Sequence, residues 1–217
     1  MPSFWVSFLR FAKPQTKTCV FLLAFFREKE YSVKDMKNRN ILSNEKKELR
    51  ASVLSRLPSV PDREKREREV SAACLALAEK VGAKKVGVYL SGKGELSLDP
   101  LINDLFDRPV RVYAPVVVSE SDMIFVEIKK GEPFALNRFG LREPILKDER
   151  EEDFDVLFIP LAAFDENKNR LGKGKGYYDR FLQGKTTLKV GVAFVEQKVE
   201  KVPTEETDVP LDLVIYQ

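Results

Sequence analysis

The chain has 217 residues, of which 43% are apolar and 33% charged, with 37 basic against 34 acidic side chains and no histidine. That length supports one domain with a proper core, and the lack of histidine excludes imidazole acid–base catalysis and the common His-containing zinc sites. Two cysteines, Cys19 and Cys74, are too few for a disulfide framework or a four-cysteine metal site, so the chemistry must rest on Lys, Arg, Asp, Glu and Tyr.

The first 27 residues carry Arg10, Lys13, Lys17 and Arg27 and no acid, which leaves 33 basic against 34 acidic residues in the rest. No global basic field argues for a nucleic-acid partner. The apolar run at 19–26 (CVFLLAFF) is too short for a bilayer, which needs about 20 helical residues, and it lacks the small-residue cleavage site of a signal peptide. Residues 1–42 are therefore expected to be an atypical extension outside the fold, a disordered leader or a start set too far upstream. Residues 43–217 are expected to form a single catalytic domain, cytoplasmic and with no membrane partner.

From Ser43 the pattern turns helical, with Leu49, Val53, Leu54 and Leu57 on one face before Pro58. Lys46, Lys47 and Arg50 lie on the other face, which on pattern alone is a solvated one. A second helix is predicted over 62–81, with Val70, Ala73, Cys74, Leu77 and Ala78 inward, and it reads as scaffold. Residues 85–90 (KVGVYL) predict a buried strand whose end leads into the loop 91–95. Ligands bind at strand ends in open α/β sheets, so this loop faces the expected crevice. Within it, Glu95 on its own reads as a charge favoured by the N-terminus of a helix near 99–106. Strands follow at 111–118, interrupted by Pro115, and at 124–129. Residues 131–144 are read as a loop, in which Phe139 offers a stacking surface and Glu143 a polar contact, although loops often hold such residues without function.

Residues 155–160 (DVLFIP) predict the strand that feeds the densest stretch of the chain, residues 169–181 (NRLGKGKGYYDRF). Gly172, Gly174 and Gly176 alternate with Lys173 and Lys175, Arg170 stands just before them, and a helix pattern begins at Tyr177. Glycines let backbone N–H groups approach a phosphate, and the cations neutralise what the amides hold. The spacing is G-x-G-x-G, neither a Walker A loop nor a dinucleotide fingerprint. Asp179 beside such a cradle is repulsive unless a divalent cation lies between, as Mg2+ does when it joins carboxylates to nucleotide oxygens. Tyr177 and Tyr178 suit either ring stacking or the core. Strands at 189–194 and 213–216 close the chain, separated by an acidic loop with Glu205, Glu206 and Asp208. Strands alternating with helices imply an α/β three-layer sandwich, with a mostly parallel central sheet and helices on both faces.

Residues 164–181 (FDENKNRLGKGKGYYDRF) resemble the signature of the 5-formyltetrahydrofolate cyclo-ligase family. KKELR at 46–50, YLSGKGEL at 89–96, FGLREP at 139–144 and VPTEETDVPLD at 202–212 fall in that family's order. The resemblance implies ATP- and Mg2+-dependent closure of 5-formyltetrahydrofolate to 5,10-methenyltetrahydrofolate, by way of a phosphorylated formyl group. It implies that Lys46, Lys47, Glu48, Leu49 and Arg50 bind ATP together with Arg170, Leu171, Gly172, Lys173, Gly174, Lys175, Gly176, Tyr177 and Tyr178. It further implies that Leu90 and Glu95 hold the pterin, with Lys173, Gly174, Lys175, Gly176 and Tyr177 also touching substrate, and that Asp179 and Asp208 hold Mg2+. Arg170, Lys173 and Lys175 then act on the transferring phosphoryl group. The expected partner is a reduced folate, and the expected assembly a monomer or small homo-oligomer. The residues alone leave two rivals: an ATP-independent sugar-phosphate isomerase-like enzyme, and a nucleic-acid-binding module that uses the basic glycine-rich loop.

Overall fold

An uninterrupted apolar strand must be covered on both faces, and residues 156–160 sit at the middle of such a covering. The computed structural model describes residues 33–137, 140–145 and 150–217. The chain divides into two units, Met1–Ile41 and Leu42–Gln217, and the site described below lies in the second. Residues 1–32, including the apolar run at 19–26, lie outside the described residues, as does Phe139.

In chain order the elements are α1 (Val33–Leu54), a 3-10 turn (Leu57–Ser59), α2 (Arg63–Lys80), β1 (Lys85–Gly87), α3 (Asp99–Phe106), β2 (Arg111–Val117), β3 (Met123–Ile128) and β4 (Phe134–Leu136). There follow β5 (Arg142–Pro144), β6 (Val156–Pro160), β7 (Ala163–Phe164), β8 (Arg170–Leu171), α4 (Tyr177–Leu182), β9 (Leu188–Ala193), a second 3-10 turn (Val195–Gln197) and β10 (Leu213–Tyr216). Six strands form one sheet in the order β10-β9-β6-β1-β2-β3. All neighbours are parallel except β2 and β3.

The period of two along each strand splits the core. Val86, Val112, Val156, Phe158, Val190 and Val192 face α2 and α3 through Val70, Cys74, Leu101 and Leu105. Leu157, Ile159, Phe125 and Tyr113 face the other way and meet Leu182, Phe181 and Tyr178 of α4. Helices therefore cover both faces of a mostly parallel sheet, as the alternation of strand and helix signals requires. Pro115 is tolerated inside β2 because β1 pairs with that strand only as far as Tyr113, and Pro115 lies beyond the last shared rung.

Several elements differ from the sequence reading, β1 among them, which ends at Gly87 rather than at residue 90. Helix α1 begins at Val33 rather than Ser43, in a run with no Gly or Pro before Pro58 to stop it. On α2 the buried stripe takes Ser71 in place of Ala73, which is exposed. The stretch 131–144 is not a plain loop. It holds the β4–β5 hairpin, whose three-residue strands are too short for a periodic signal. The connection 162–169 is not plain either: it holds β7, which pairs with β8 just beyond it, and the turn between them closes around Asp165.

Asp165 is 2% exposed. Its carboxylate accepts N–H groups from Asn169 and Val202 at 3.0 Å, and the Asn169 side-chain amide at 3.0 Å. Burial pushes this carboxyl up, but the donors from Val202, Asn169 and Asn167 outweigh it and hold the group below its ordinary range. A depressed folded value means that the stabilisation is present above the unfolded pKa and is lost as pH falls through the folded one. Asp165→Ala should lower the unfolding free energy by roughly 3 kcal/mol at neutral pH, because it orphans several buried donors. Urea denaturation should show the deficit shrinking below about pH 4; a neutral-pH change under about 1 kcal/mol would contradict the role given to these bonds.

Candidate active site

The order of strands reverses at the centre of the sheet. From β1 the chain passes through α3 to β2 on one side, whereas β6, β9 and β10 build outward on the other. The loops leaving the C-terminal ends of β1 and β6 thus diverge and leave a crevice, the usual ligand position in an open α/β sheet. A cleft of about 1190 Å³ opens there. It is lined by Lys46, Lys47 and Arg50 from α1, Tyr89, Leu90 and Glu95 from the loop after β1, all of residues 170–180, and residues 205–208. Segments distant in sequence therefore meet in one cavity large enough for two organic ligands.

The glycine turn joins β8 to α4. Gly174 has φ +99° and Gly176, at the start of α4, has φ +67°, both in the left-handed region that side chains avoid. A Cβ at Gly172 would stand 2.9 Å from Arg170 Nη1. The turn is held by its carbonyls. Arg50 Nε donates to Gly172 O at 2.8 Å, and Arg180 Nη2 donates to Lys175 O at 2.9 Å while its Nε donates to Ser121 O. Among the described residues the N–H groups of Lys173, Gly174 and Lys175 donate no hydrogen bond. Guanidinium groups on the carbonyls and uncommitted amides are the polarity of an anion cradle. Helix α4 has only six residues, so the favourable field rests on the amides and cations more than on a macrodipole.

Opposite charges pair across the cleft. The Arg170 side chain, 2% exposed, donates from Nη2 to Asp179 Oδ1 at 2.6 Å, and its Nε has no partner among the described residues. Lys46 Nζ lies 2.6 Å from Asp208 Oδ2 and 3.8 Å from Glu205. Lys173 Nζ lies 2.7 Å from Glu95 Oε1. Lys47 and Lys175 line the same cleft and form no ion pair among the described residues. Burial pulls the Arg50 guanidinium below its ordinary value, yet a guanidinium stays charged. Burial, with the nearby Glu95 charge, pushes the Tyr178 phenol up against the opposing effect of Arg170, so it is a neutral donor, and it has no partner among the described residues.

Most residues singled out from the sequence converge here, and a few do not. Glu48 is exposed and Leu49 packs into the cluster around Val53, Leu171 and Val202, so neither lines the cleft. Leu171 is core to the same cluster while bordering the cavity. Tyr177 and Tyr178 take both of the parts open to them: they border the cleft and pack against the core beside Phe125. Glu143 lines the cleft but spends one oxygen on the hairpin, accepting from Asn137 at 2.9 Å and from Val117 N–H at 3.3 Å. Tyr89, Arg180 and Met123 also border the cavity. Tyr89 and Arg180 fall within the motifs at 89–96 and 164–181 but are not singled out there, and Met123 carries no signal, because an aromatic, a cation or a methionine at a strand or helix end is ordinary.

Among the described residues no three Asp, Glu, His or Cys side chains converge as an all-protein metal cage. Asp179 and Asp208 nevertheless border one cavity, and the Val209 N–H, next to Asp208, points to Asp179 Oδ1 at 3.5 Å. Each carboxylate keeps one oxygen uncommitted among the described residues. One or two carboxylates beside phosphate oxygens are the donor set that Mg2+ uses, so the residues fit such an ion when it is shared with a phosphate.

Fold and cleft define a doubly wound α/β protein with a cation-lined glycine turn at its topological switch point. The model of the 5-formyltetrahydrofolate cyclo-ligase family matches residues 42–217. The 5-formyltetrahydrofolate cyclo-ligase of Haemophilus influenzae is 39% identical over 153 residues, covering 67% of this chain and 82% of that protein. The Escherichia coli 5-formyltetrahydrofolate cyclo-ligase is 42% identical over 144 residues, covering 62% and 79%. The solved 5,10-methenyltetrahydrofolate synthetase of Aquifex aeolicus superposes with a TM-score of 0.68 at 34% identity, covering 79% of this chain and 89% of that one. The chain belongs to the 5-formyltetrahydrofolate cyclo-ligase family and is an enzyme of that class. Among the described residues no helix is long and apolar enough to cross a membrane.

A side chain at Gly174 would force φ +99° on an L-residue beside Arg50, 3.4 Å away. Gly174→Ala should cut kcat/KM in the cyclo-ligase assay at least ~10-fold, from a strain of about 1–3 kcal/mol on the cradle. Gly82→Ala, which strains φ +65° in open space at the N-terminal end of β1, the end opposite the cleft, should leave kcat/KM unchanged. Equal losses in both variants would remove the cradle from the chemistry.

Proposed function

We propose that the enzyme closes 5-formyltetrahydrofolate to 5,10-methenyltetrahydrofolate with ATP as phosphoryl donor, releasing ADP and phosphate. The observation that carries this is a single cavity in which a glycine turn with uncommitted amides and cations meets the Glu95 carboxylate beside Leu90. On the cradle side stand Lys46, Lys47, Arg50, Arg170, Lys173 and Lys175; on the other stand Leu90 and Glu95.

A formyl amide oxygen is a poor leaving group. Transfer of the γ-phosphoryl group to it turns it into phosphate; the neighbouring folate N10 then attacks the formyl carbon and loses its proton, and phosphate departs with the former formyl oxygen. Phosphoryl transfer asks for position and charge neutralisation more than for a strong base, which suits a site without histidine. The amides of residues 173–175 and the cations Arg170, Lys173 and Lys175 hold the transferring group. Lys46, Lys47 and Arg50 lie over the rest of the triphosphate. Glu95 accepts from the pterin amino group and ring N–H, with Leu90 against the ring. Asp179 and Asp208 would hold Mg2+, which supplies neutralisation of phosphate charge. Each cation now on a carboxylate has a phosphate to move to, and each carboxylate then has Mg2+ or the pterin. In either state each buried charge thus keeps a charged or hydrogen-bonding partner.

Ring closure lengthens the conjugation of the folate and is read as growth of long-wavelength absorbance. The expected result is growth that requires ATP and is abolished when EDTA removes the divalent cation. Turnover without ATP would favour an isomerase-like enzyme and overturn the proposal. Lys175→Ala should lower kcat/KM by about 100-fold, the ~3 kcal/mol typical of one lost transition-state contact; activity near the parent level would take Lys175 out of the cradle.

A further inference from the structure

Glu95 stands on a loop that has no regular structure of its own between β1 and α3, yet its side chain is only 12% exposed and both of its oxygens are engaged. Oε1 meets Lys173, and Oε2 accepts the Gly92 N–H at 2.6 Å. Two side chains of α2 and one from the loop's own start fix it. Arg63 Nη2 donates to the Glu95 carbonyl. The phenol of Tyr89 donates to the Leu96 carbonyl at 2.8 Å, and the Ser97 N–H donates to Glu67 Oε1 at 3.0 Å. Three consecutive residues are therefore each tied through a main-chain group to a different side chain.

The ties are joined to one another. Arg63 Nε donates to the same Glu67 Oε1 at 3.0 Å, the (i, i+4) pair of one helix face, and its Nη1 donates to the Leu57 carbonyl. The Arg63 guanidinium also lies over the Phe194 ring, 4.8 Å from its centroid, at the end of β9. Tyr89 is buried, so its hydroxyl has lost water and holds Leu96 O as its partner. A planar fork with every edge occupied and a buried phenol leave little freedom in the loop that they grip.

We infer that Arg63, Tyr89 and Glu67 are positioning residues for substrate recognition, a clamp that aims the Glu95 carboxylate at the heterocycle. The inference rests on the assignment of Glu95 to the pterin made above. Helix α2, whose polar face reads in sequence as solvated scaffold, thereby acts on the site through its first two turns. Glu95 contacts a part of the folate that does not react, so its bonds are the same in the ground and transition states. Loosening the clamp then raises KM for folate and leaves kcat alone.

The test is steady-state kinetics of Tyr89→Phe and Arg63→Lys, each alone and combined with Glu95→Gln. Tyr89→Phe removes one hydroxyl from a ring that otherwise keeps its packing, and Arg63→Lys keeps the charge facing Glu67 while removing the fork. The expected result is a folate KM raised ~5- to 10-fold in each single variant, with kcat within about two-fold, the ATP KM unchanged, and no further rise when either is added to Glu95→Gln. A merely structural role would lower the active fraction and hence kcat, with both KM values unmoved. That pattern, or clamp and Glu95→Gln effects that multiply undiminished, overturns the inference while leaving Glu95 in its place. A Glu95→Gln enzyme with the parent folate KM overturns the pterin assignment and the clamp with it.

Discussion

A guanidinium taken almost wholly out of water is the constraint around which this site is arranged. Arg170 is 2% exposed on its side chain and meets Asp179 at 2.6 Å. Desolvating such an ion is costly unless a carboxylate and further acceptors meet it, and the local structure is shaped by that requirement. The small β7–β8 ladder delivers Arg170 inward, α4 carries Asp179 back over it, and the position two residues on is Gly172, where a Cβ would come within 2.9 Å of the guanidinium. Its buried Nε finds no protein partner among the described residues, and under the proposed function a phosphate oxygen is an acceptor that suits it.

The sheet explains why the cleft is where it is. β1 has three residues and pairs on both sides, with β2 and with β6, so the chain must leave its C-terminal end in a direction shared by neither neighbour. Glu95 and the glycine turn sit on the two diverging exits and meet through the Lys173 ion pair. α1 closes the third side, with Val53 fully buried against Ala163 and Leu171 while Lys46 and Arg50 reach over the cavity. Apolar burial on one face of that helix thus fixes where the cations on the other face stand, which is the link between packing and chemistry in this fold.

Much of this was legible in the chain itself, for identifiable reasons. The strand at 156–160 reads directly because a run buried on both faces is continuously apolar, and the helix at 99–106 because its apolar spacing is regular. The glycine turn reads because three alternating glycines have few uses other than a backbone in conformations that side chains avoid. What escaped was short or borrowed. The β4–β5 hairpin has three-residue strands, below the length at which alternation can be told from chance. The exchange of Ala73 for Ser71 on α2 turns on a single position in a helix whose charges outnumber its apolar groups. The clamp on Glu95 escaped because Arg63, Glu67 and Tyr89 act on main-chain groups, and bonds to main chain leave no complementary residue type to recognise.

The most direct test of the account follows the oxygen. If the formyl oxygen is phosphorylated, 5-formyltetrahydrofolate carrying 18O in the formyl group must pass that label into the inorganic phosphate released in a single turnover with ATP. The account predicts one labelled oxygen per phosphate formed. Label appearing in water, with phosphate unlabelled, would mean that ATP hydrolysis and ring closure are separate events and would contradict it.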